Sequence, residues 1–380
     1  MSAEYSKRPT WAEINLDNLD FNLRSVKQSV GEKVKYMAVV KADGYGHGAV
    51  ECAGKLEKSG IDWLGVALPE EGLELRENNI KTPILCLGGF WLGQENLLID
   101  NNLTTVIYNL VSAEKLNLAA KAKGCKVKIH IKIDTGMGRI GVRFDEIDAF
   151  AENLLKFKNL EVDGLMTHFA AADDLMQNDF TKLQIKRFYE SVEIFEYKGF
   201  QPTYKDLANS PGAVAHKDSH GNMVRLGGIL YGLGDDVLPS EIDLPKVKSI
   251  MSLYSVINSL KCIPKGDTLG YGRTYITERD SIIATVPIGY QDGYSRALSN
   301  CGRVIVRNNF APVVGRISMD WTIIDVTGIP DVIINDKVTL IGNSADLSVK
   351  AEELAEKTAT ISYEITCGIN RRVPRIYVES

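Results

Sequence analysis

The sequence predicts an α/β protein: a (β/α)8 barrel of the TIM type followed by a mainly β C-terminal domain. Three observations predict it. Short apolar runs alternate with helix-patterned segments eight times within roughly 200 residues, the repeat number and span of such a barrel. After about Gly234 that alternation stops and short strand-like runs take over. The length of 380 residues exceeds what one ordinary core fills, which suggests two domains. They are placed at 1–244 and 245–380, with the linker-like stretch D-D-V-L-P-S-E-I-D-L-P (235–245) between them. The first ~12 residues are left free to pack with the β domain.

Helical spacing of Leu16, Leu19, Leu23 and Val26, with Asp17 and Asp20 near the start, predicts a helix over 15–30. Apolar, β-branched runs predict strands at 34–40, 62–67, 83–87, 104–108, 127–134, 162–166, 204–208 and 222–227. Helices are predicted between them at 49–58, 69–78, 94–101, 112–123, 145–157, 179–198 and 211–217. A doubly wound sheet alternates in the same way, so the count of eight is what discriminates. The second domain shows strand-like runs at 251–263, 281–288, 303–306, 312–316, 322–326 and 337–341, and a single helix at 349–357. There is no internal repeat and no low-complexity tract.

Composition excludes several classes. Hydrophobic residues make up 44% and charged residues 24%, as in a globular protein. A net charge of −5 gives no reason to expect a nucleic acid or an anionic membrane as partner. No apolar run approaches the ~20 residues a membrane span needs, and the N-terminal M-S-A-E-Y-S-K-R-P-T-W has no apolar signal core. The six cysteines are scattered with no C-x-x-C pair, so reduced thiols in a cytoplasmic protein are expected. His216 and His220 are four apart but lack a third ligand nearby in sequence, so no metal is expected.

The chemistry gathers at the predicted strand ends, where a barrel carries its active site. V-K-Y-M-A-V-V-K-A-D-G-Y-G-H-G (34–48) is a strand that delivers Lys41 into a glycine-rich turn. Desolvation there would favour the neutral amine that forms a Schiff base; a snorkelling lysine is the bland alternative. Tyr45 follows the same strand, Arg139 the fifth, His168 the sixth, and Asn209 and Ser210 the seventh. Arg225 ends the eighth, followed by Gly227 and Gly228. A hydroxyl and accessible backbone amides after strands 7 and 8 suit a phosphate. A phosphorylated aldehyde, pyridoxal phosphate (PLP), would use the whole set. G-M-G-R-I-G (136–141), with Glu161 about 20 residues on, matches a dinucleotide fingerprint. It lies at the fifth strand, however, and no long helix opens at it, so the nicotinamide reading is weak.

These residues resemble those of bacterial alanine racemases. The likeness rests on A-V-V-K-A-D-G-Y-G-H-G-A (38–49), K-I-D-T-G-M-G-R-I-G (132–141), N-S-P (209–211), V-R-L-G-G-I-L-Y-G (224–232) and L-G-Y-G-R-T-Y (269–275). P-I-G-Y-Q-D-G (287–293), V-G-R-I-S-M-D (314–320) and R-V-P-R (372–375) extend it over nearly the whole chain. The resemblance implies a PLP-binding barrel, a β domain and a head-to-tail homodimer with shared active sites. It implies that Lys41 holds PLP as a Schiff base and serves as one proton-transfer base. Tyr271 from the partner subunit would be the other base, on the opposite face of Cα. Two opposed bases are what racemisation requires. A free tyrosine has a pKa of about 10, so neighbours must help, and His168 and Arg225 belong to that network in the family.

Arg225 would face the pyridine nitrogen. An arginine stays protonated and only donates, leaving that nitrogen unprotonated and the electron sink weak. Arg139 would contact the PLP phenolic oxygen and the substrate carboxylate, with help from the Met319 backbone amide. Tyr45, Ser210, Gly227 and the Gly228 backbone would bind the phosphate, Asn209 and His168 would also contact the cofactor, and Tyr290 would stand at the substrate entrance. Lys132 matches a lysine that is carbamylated in some members, while a plain barrel-interior lysine is the alternative.

The implied activity is interconversion of L- and D-alanine, supplying D-alanine for peptidoglycan. Three departures from the commoner family pattern bear on substrate. Gly228 stands where isoleucine is frequent, Ser318 where cysteine is, and Arg371 where many members carry a pocket tyrosine. A serine-preferring or broad-specificity racemase is therefore one alternative, since a hydroxyl is worth only about 1–3 kcal/mol in such a pocket. A non-catalytic PLP-binding protein is another, but such proteins are usually a lone barrel without the second domain. A decarboxylase on the same architecture would place an acid where Arg225 stands.

Overall fold

A computed structural model describes residues 8–239 and 242–379; residues 1–7 of the N-terminal stretch, 240–241 of the linker-like stretch and 380 lie outside the described residues. Eight parallel strands close a barrel: Lys35–Val39, Trp63–Val66, Ile84–Cys86, Thr104–Ile107, Val127–Asp134, Leu160–Met166, Tyr204–Asp206 and Met223–Leu226. Every predicted barrel strand is present, within two residues of its predicted ends. The helices predicted between them are present too, among them Ala49–Lys58, Pro69–Glu77 and the long Asn178–Tyr197. Strand residues are buried on both faces, so their apolar runs are continuous rather than alternating.

Inside the barrel Met37, Trp63, Leu85, Val106, Met166 and Met223 form one apolar cluster. His130 lies with them, its ring stacked on Tyr204 at 5.7 Å and tilted against Trp63 at 5.7 Å. Its cross-strand partner is Gly164, where an added Cβ would lie 2.5 Å from His130 Cε1. The glycine makes the room that the imidazole fills. Neither ring nitrogen of His130 has a hydrogen-bond partner among the described residues, and burial pushes its pKa down to about 4.

The second compact unit comprises residues 8–18, Tyr231–Asp236 and 249–379; the barrel unit is Leu19–Leu230 with the described part of 237–248. A seven-stranded sheet dominates the second unit, with Trp11–Asn15 between Met251–Val256 and Arg375–Val378. A three-stranded sheet joins Ser259–Ile263, Ser281–Val286 and Thr322–Asp325. The hairpin Thr268–Leu269 with Tyr275–Ile276 stands by itself.

Several expectations need correction. The strand Trp11–Asn15 precedes the predicted N-terminal helix, which runs Leu16–Val30; it is too short to stand out beside so strong a helical pattern. The run 251–263 is two strands in different sheets, because the chain turns at 257–258. The run 312–316 is largely irregular: the strand is Asn309–Pro312, paired with Arg303–Val306 through Arg307 and Asn308, both at positive φ. A second helix, Ser362–Gly368, joins Ala351–Thr358 and Arg375–Val378 follows it as a strand. Polar tertiary contacts support that helix, for Asp236 accepts from the Ser362 amide (2.6 Å) and hydroxyl (2.8 Å).

His130 yields a test. Its folded pKa lies below the ordinary 6.5, so the unfolded chain takes up a proton that the barrel refuses. That stability is full above about pH 6.5 and is lost as pH falls toward 4. Replacing His130 with Phe should remove about 3 kcal/mol of the decline between pH 7 and pH 4, read by urea unfolding at each pH.

Candidate active site

Lys41 leaves the first barrel strand and opens an unusual turn. Ala42, Asp43, Gly44 and Tyr45 have φ of 53°, 54°, 60° and 54°, a run of left-handed backbone. Each L-residue there costs roughly 1–2 kcal/mol, so something must hold it. Two carboxylates do. Glu71 accepts from the Ala42 N–H at 2.7 Å through Oε1, and from the Ala67 (2.6 Å) and Leu68 (3.2 Å) N–H groups through Oε2. Asp43 Oδ1 accepts from the Ala49 N–H at 2.9 Å, closing the start of the next helix. His47 Nδ1 meets the Gly44 carbonyl at 2.9 Å. The glycines made this turn visible in the sequence, whereas Glu71, thirty residues downstream, gave no local signal.

Arg225 is 3% exposed in the last strand, and its guanidinium is heavily committed. Nη1 pairs with Asp206 Oδ1 and reaches the Asp206 carbonyl at 3.2 Å. Nη2 donates to the carbonyls of Thr167 (2.8 Å) and Leu207 (3.1 Å) and to His168 Nδ1 (3.3 Å). An arginine can only donate, so His168 Nδ1 is the acceptor and the ring proton sits on Nε2. Burial, with Lys132 and Arg225 adding, holds the His168 pKa well below its ordinary value, so the ring is neutral.

Lys132 points into the same interior and donates to the Thr167 carbonyl at 3.4 Å. Burial and the neighbouring Arg225 hold its pKa well below that of an ordinary lysine. Asp206, fully buried, has a pKa raised to about 6 by desolvation against the pull of Arg225. Asp206 and Thr167 were missed in the sequence. A buried acid four residues before Ser210, at an inward strand position, is the signal that would have found the first.

Tyr45, Ser210 and Gly227 converge. The Gly227 N–H donates to Ser210 Oγ at 2.9 Å. A Cβ on Gly227 would stand 2.6 Å from Tyr45 Oη and 3.8 Å from Ser210 Oγ, so only glycine permits the approach. Gly228 opens the short turn Gly228–Tyr231. The Asn209 carboxamide oxygen accepts from the Gly212 N–H at 3.1 Å and caps Ser210–Ala215. Arg139 is exposed in the loop after Asp134. The glycines of 136–141 wrap the Asp134 carboxylate through the Gly136 and Gly138 amides, and a short strand, Val142–Arg143, follows instead of a helix. Glu161 is a surface partner of Lys128 at 3.8 Å. These features remove the dinucleotide reading. His216 and His220 each bond a carbonyl, of Ala172 (3.0 Å) and Ala213 (2.8 Å).

The second unit holds a cluster of its own. Tyr271, 71% exposed, rides the hairpin turn Tyr271–Arg273 between Gly270 (φ 70°) and Gly272 (φ 72°). A Cβ at Gly272 would lie 2.9 Å from Arg316 Nη1, which puts the turn against the 314–320 loop. Tyr290 (40% exposed) and Met319 (50%) come together through the main chain, the Tyr290 and Gln291 N–H groups donating to the Ser318 (3.0 Å) and Met319 (3.1 Å) carbonyls. Ser318 Oγ is committed to the Trp321 carbonyl at 2.9 Å. Arg372 bonds Asp320 at 2.7 Å, while Arg371 is exposed beside it.

Residues 14–235 match the family model of the alanine racemase N-terminal domain, and residues 250–377 that of the alanine racemase C-terminal domain. The chain belongs to the alanine racemase family. That membership makes it an amino-acid racemase. An alanine racemase from Halothermothrix orenii is 45% identical over 372 residues, covering 97% of each chain. The solved alanine racemase of Clostridium difficile 630 superposes with a TM-score of 0.90 at 38% identity, covering 99% of this chain and 97% of the other. The Bartonella henselae alanine racemase, solved with covalently bound pyridoxal phosphate, has a TM-score of 0.87 at 28% identity, covering 97% of this chain and 99% of that one.

Replacing Glu71 with Ala would leave the Ala42, Ala67 and Leu68 N–H groups without their common acceptor. The expected cost is about 2–3 kcal/mol in thermal unfolding, with faster amide exchange across 42–46.

Proposed function

We propose that this racemase is PLP-dependent and interconverts L- and D-alanine by a two-base mechanism. The observation that carries the reading is the cradle of Tyr45 Oη, Ser210 Oγ and Gly227 in the barrel unit that also carries Lys41. Only glycine lets Tyr45 Oη come this near the Gly227 backbone, since an added Cβ would stand 2.6 Å from it. The donors suit a phosphate, and Lys41 supplies the amine a phosphorylated aldehyde needs. When bound, the cofactor supplies the electron sink that makes the substrate Cα–H acidic.

The chain's residues do the rest. The Lys41 amine holds the cofactor and, once released, carries a proton on one face of Cα. Tyr271, from a second copy of the chain, carries the proton on the other face, which is what inversion requires. Arg225 would face the ring nitrogen and, staying protonated, would donate to it without giving up a proton. Neutral His168 can accept from Arg225 and donate through Nε2 toward the Tyr271 side. Arg139 pairs with the substrate carboxylate, assisted by the Met319 backbone amide, and Tyr290 narrows the entrance. Lys132 is buried with its pKa held well below that of an ordinary lysine, which favours the amine form that adds carbon dioxide; its carbamate would bring negative charge beside Arg225 and Arg139. The protein is read as a cytoplasmic homodimer with shared sites, supplying D-alanine for peptidoglycan. No helix among the described residues is long and apolar enough to cross a membrane.

The test is loss of circular dichroism from L-alanine and, separately, L-serine, with chiral chromatography of the products. Racemisation of alanine alone is expected; comparable conversion of serine would shift the assignment to a broad racemase and point to Gly228 and Arg371. Lys41→Ala should lose the yellow cofactor. Tyr271→Phe should stay yellow yet lose about 100-fold or more in the L-alanine direction. A fully active Tyr271→Phe enzyme would overturn the two-base reading. Gly227→Ala should weaken PLP uptake, measured by equilibrium dialysis, because its Cβ would meet Tyr45 Oη.

A further inference from the structure

Arg225 is held in two distinguishable ways. The carbonyls of Thr167, Leu207 and Asp206, with His168 Nδ1, take its terminal N–H groups. The guanidinium is planar, so these contacts already fix its aim. The direction of Nε–H then follows from the plane.

Asp206 adds something the carbonyls do not. It is 0% exposed and pairs with Arg225 Nη1 through Oδ1 alone. Its Oδ2 has no hydrogen-bond partner among the described residues. A counter-ion built for grip would engage both oxygens in a fork. A buried carboxylate with one oxygen orphaned is costly, and such a cost calls for another explanation. What Asp206 brings is charge. Arg225 is cationic, Lys41 and Arg139 add to the field felt here, and Asp206 is the acid set against them. In a low-dielectric interior an adjacent carboxylate cancels much of the field that Arg225 exerts on a third group.

We propose that Asp206 sets the effective charge of Arg225 at the cofactor ring nitrogen, as a positioning residue acting through the arginine. This rests on the reading of Arg225 given above. An arginine so discounted donates its hydrogen bond while drawing few electrons from the ring. The ring then favours proton return to Cα over loss of the amino group to the cofactor.

The test uses PLP-loaded wild type, Asp206→Asn and Asp206→Ser. Asn keeps an oxygen for Arg225 Nη1 and removes the charge; Ser is a second neutral variant should Asn fold poorly. The first readout is the pH midpoint of the visible absorbance of the Lys41-bound cofactor. The second is pyruvate released per racemisation turnover, a side reaction in which alanine is oxidised, the cofactor is reduced and the amino group stays on the cofactor. Both variants should lower the midpoint by about one pH unit, as expected for removal of an anion a few ångströms away. They should also raise the pyruvate ratio several-fold. A purely structural Asp206 would reduce thermal stability and leave both readouts at wild-type values, and that result overturns the proposal. If wild type itself forms no visible band with PLP, the cofactor reading falls instead.

Discussion

Closure of the barrel between Lys35–Val39 and Met223–Leu226 is the constraint on which the candidate site depends. The two strands are far apart in the chain, yet Met37 sits opposite Arg225 and Ala38 opposite Leu226. That register places the Lys41 turn and the Gly227 turn at one rim, so Tyr45 Oη reaches the glycine. A slip by one residue would turn Arg225 to the other face of the sheet and remove it from Asp206, Thr167 and His168. Met37 and Met223, one from each strand, share one apolar cluster with Trp63 inside the barrel.

Closure also concentrates positive charge. Lys132, Arg225 and His168 point into one interior, with Lys41 and Arg139 near enough to depress the pKa values of the other titratable groups. Burial penalises charge, so the pKa values of Lys132 and His168 are held well below their ordinary values, while Arg225 stays protonated. Asp206 is the response to that one irreducible cation.

The second unit solves a different problem, that of presenting side chains on loops without losing their placement. Asp292, fully buried, accepts from both terminal nitrogens of Arg8 (2.7 and 3.0 Å) and from the Gly289 N–H (3.0 Å). That anchors the Tyr290 turn. At Gly289 a Cβ would come within 2.4 Å of the Ser318 and Met319 carbonyls, so the turn and the 314–320 loop interlock through their backbones. Tyr271 stays exposed on a hairpin shaped by two positive-φ glycines.

The eight barrel strands were legible because a strand buried on both faces must be apolar throughout, and the helices because one face must be. Lys41, Arg225, Tyr45, Ser210 and Gly227 were legible because strand ends and glycine turns are local signals. Tertiary structure alone decided the rest. Trp11–Asn15 and Arg375–Val378 are too short to be stable strands by themselves; they exist because they pair with each other and because Trp11–Asn15 also pairs with Met251–Val256. Glu71 and Asp206 resemble any other acid in the sequence. Their roles come from distant partners, the Ala42 N–H and the Arg225 guanidinium, which only the closed barrel brings within hydrogen-bonding reach.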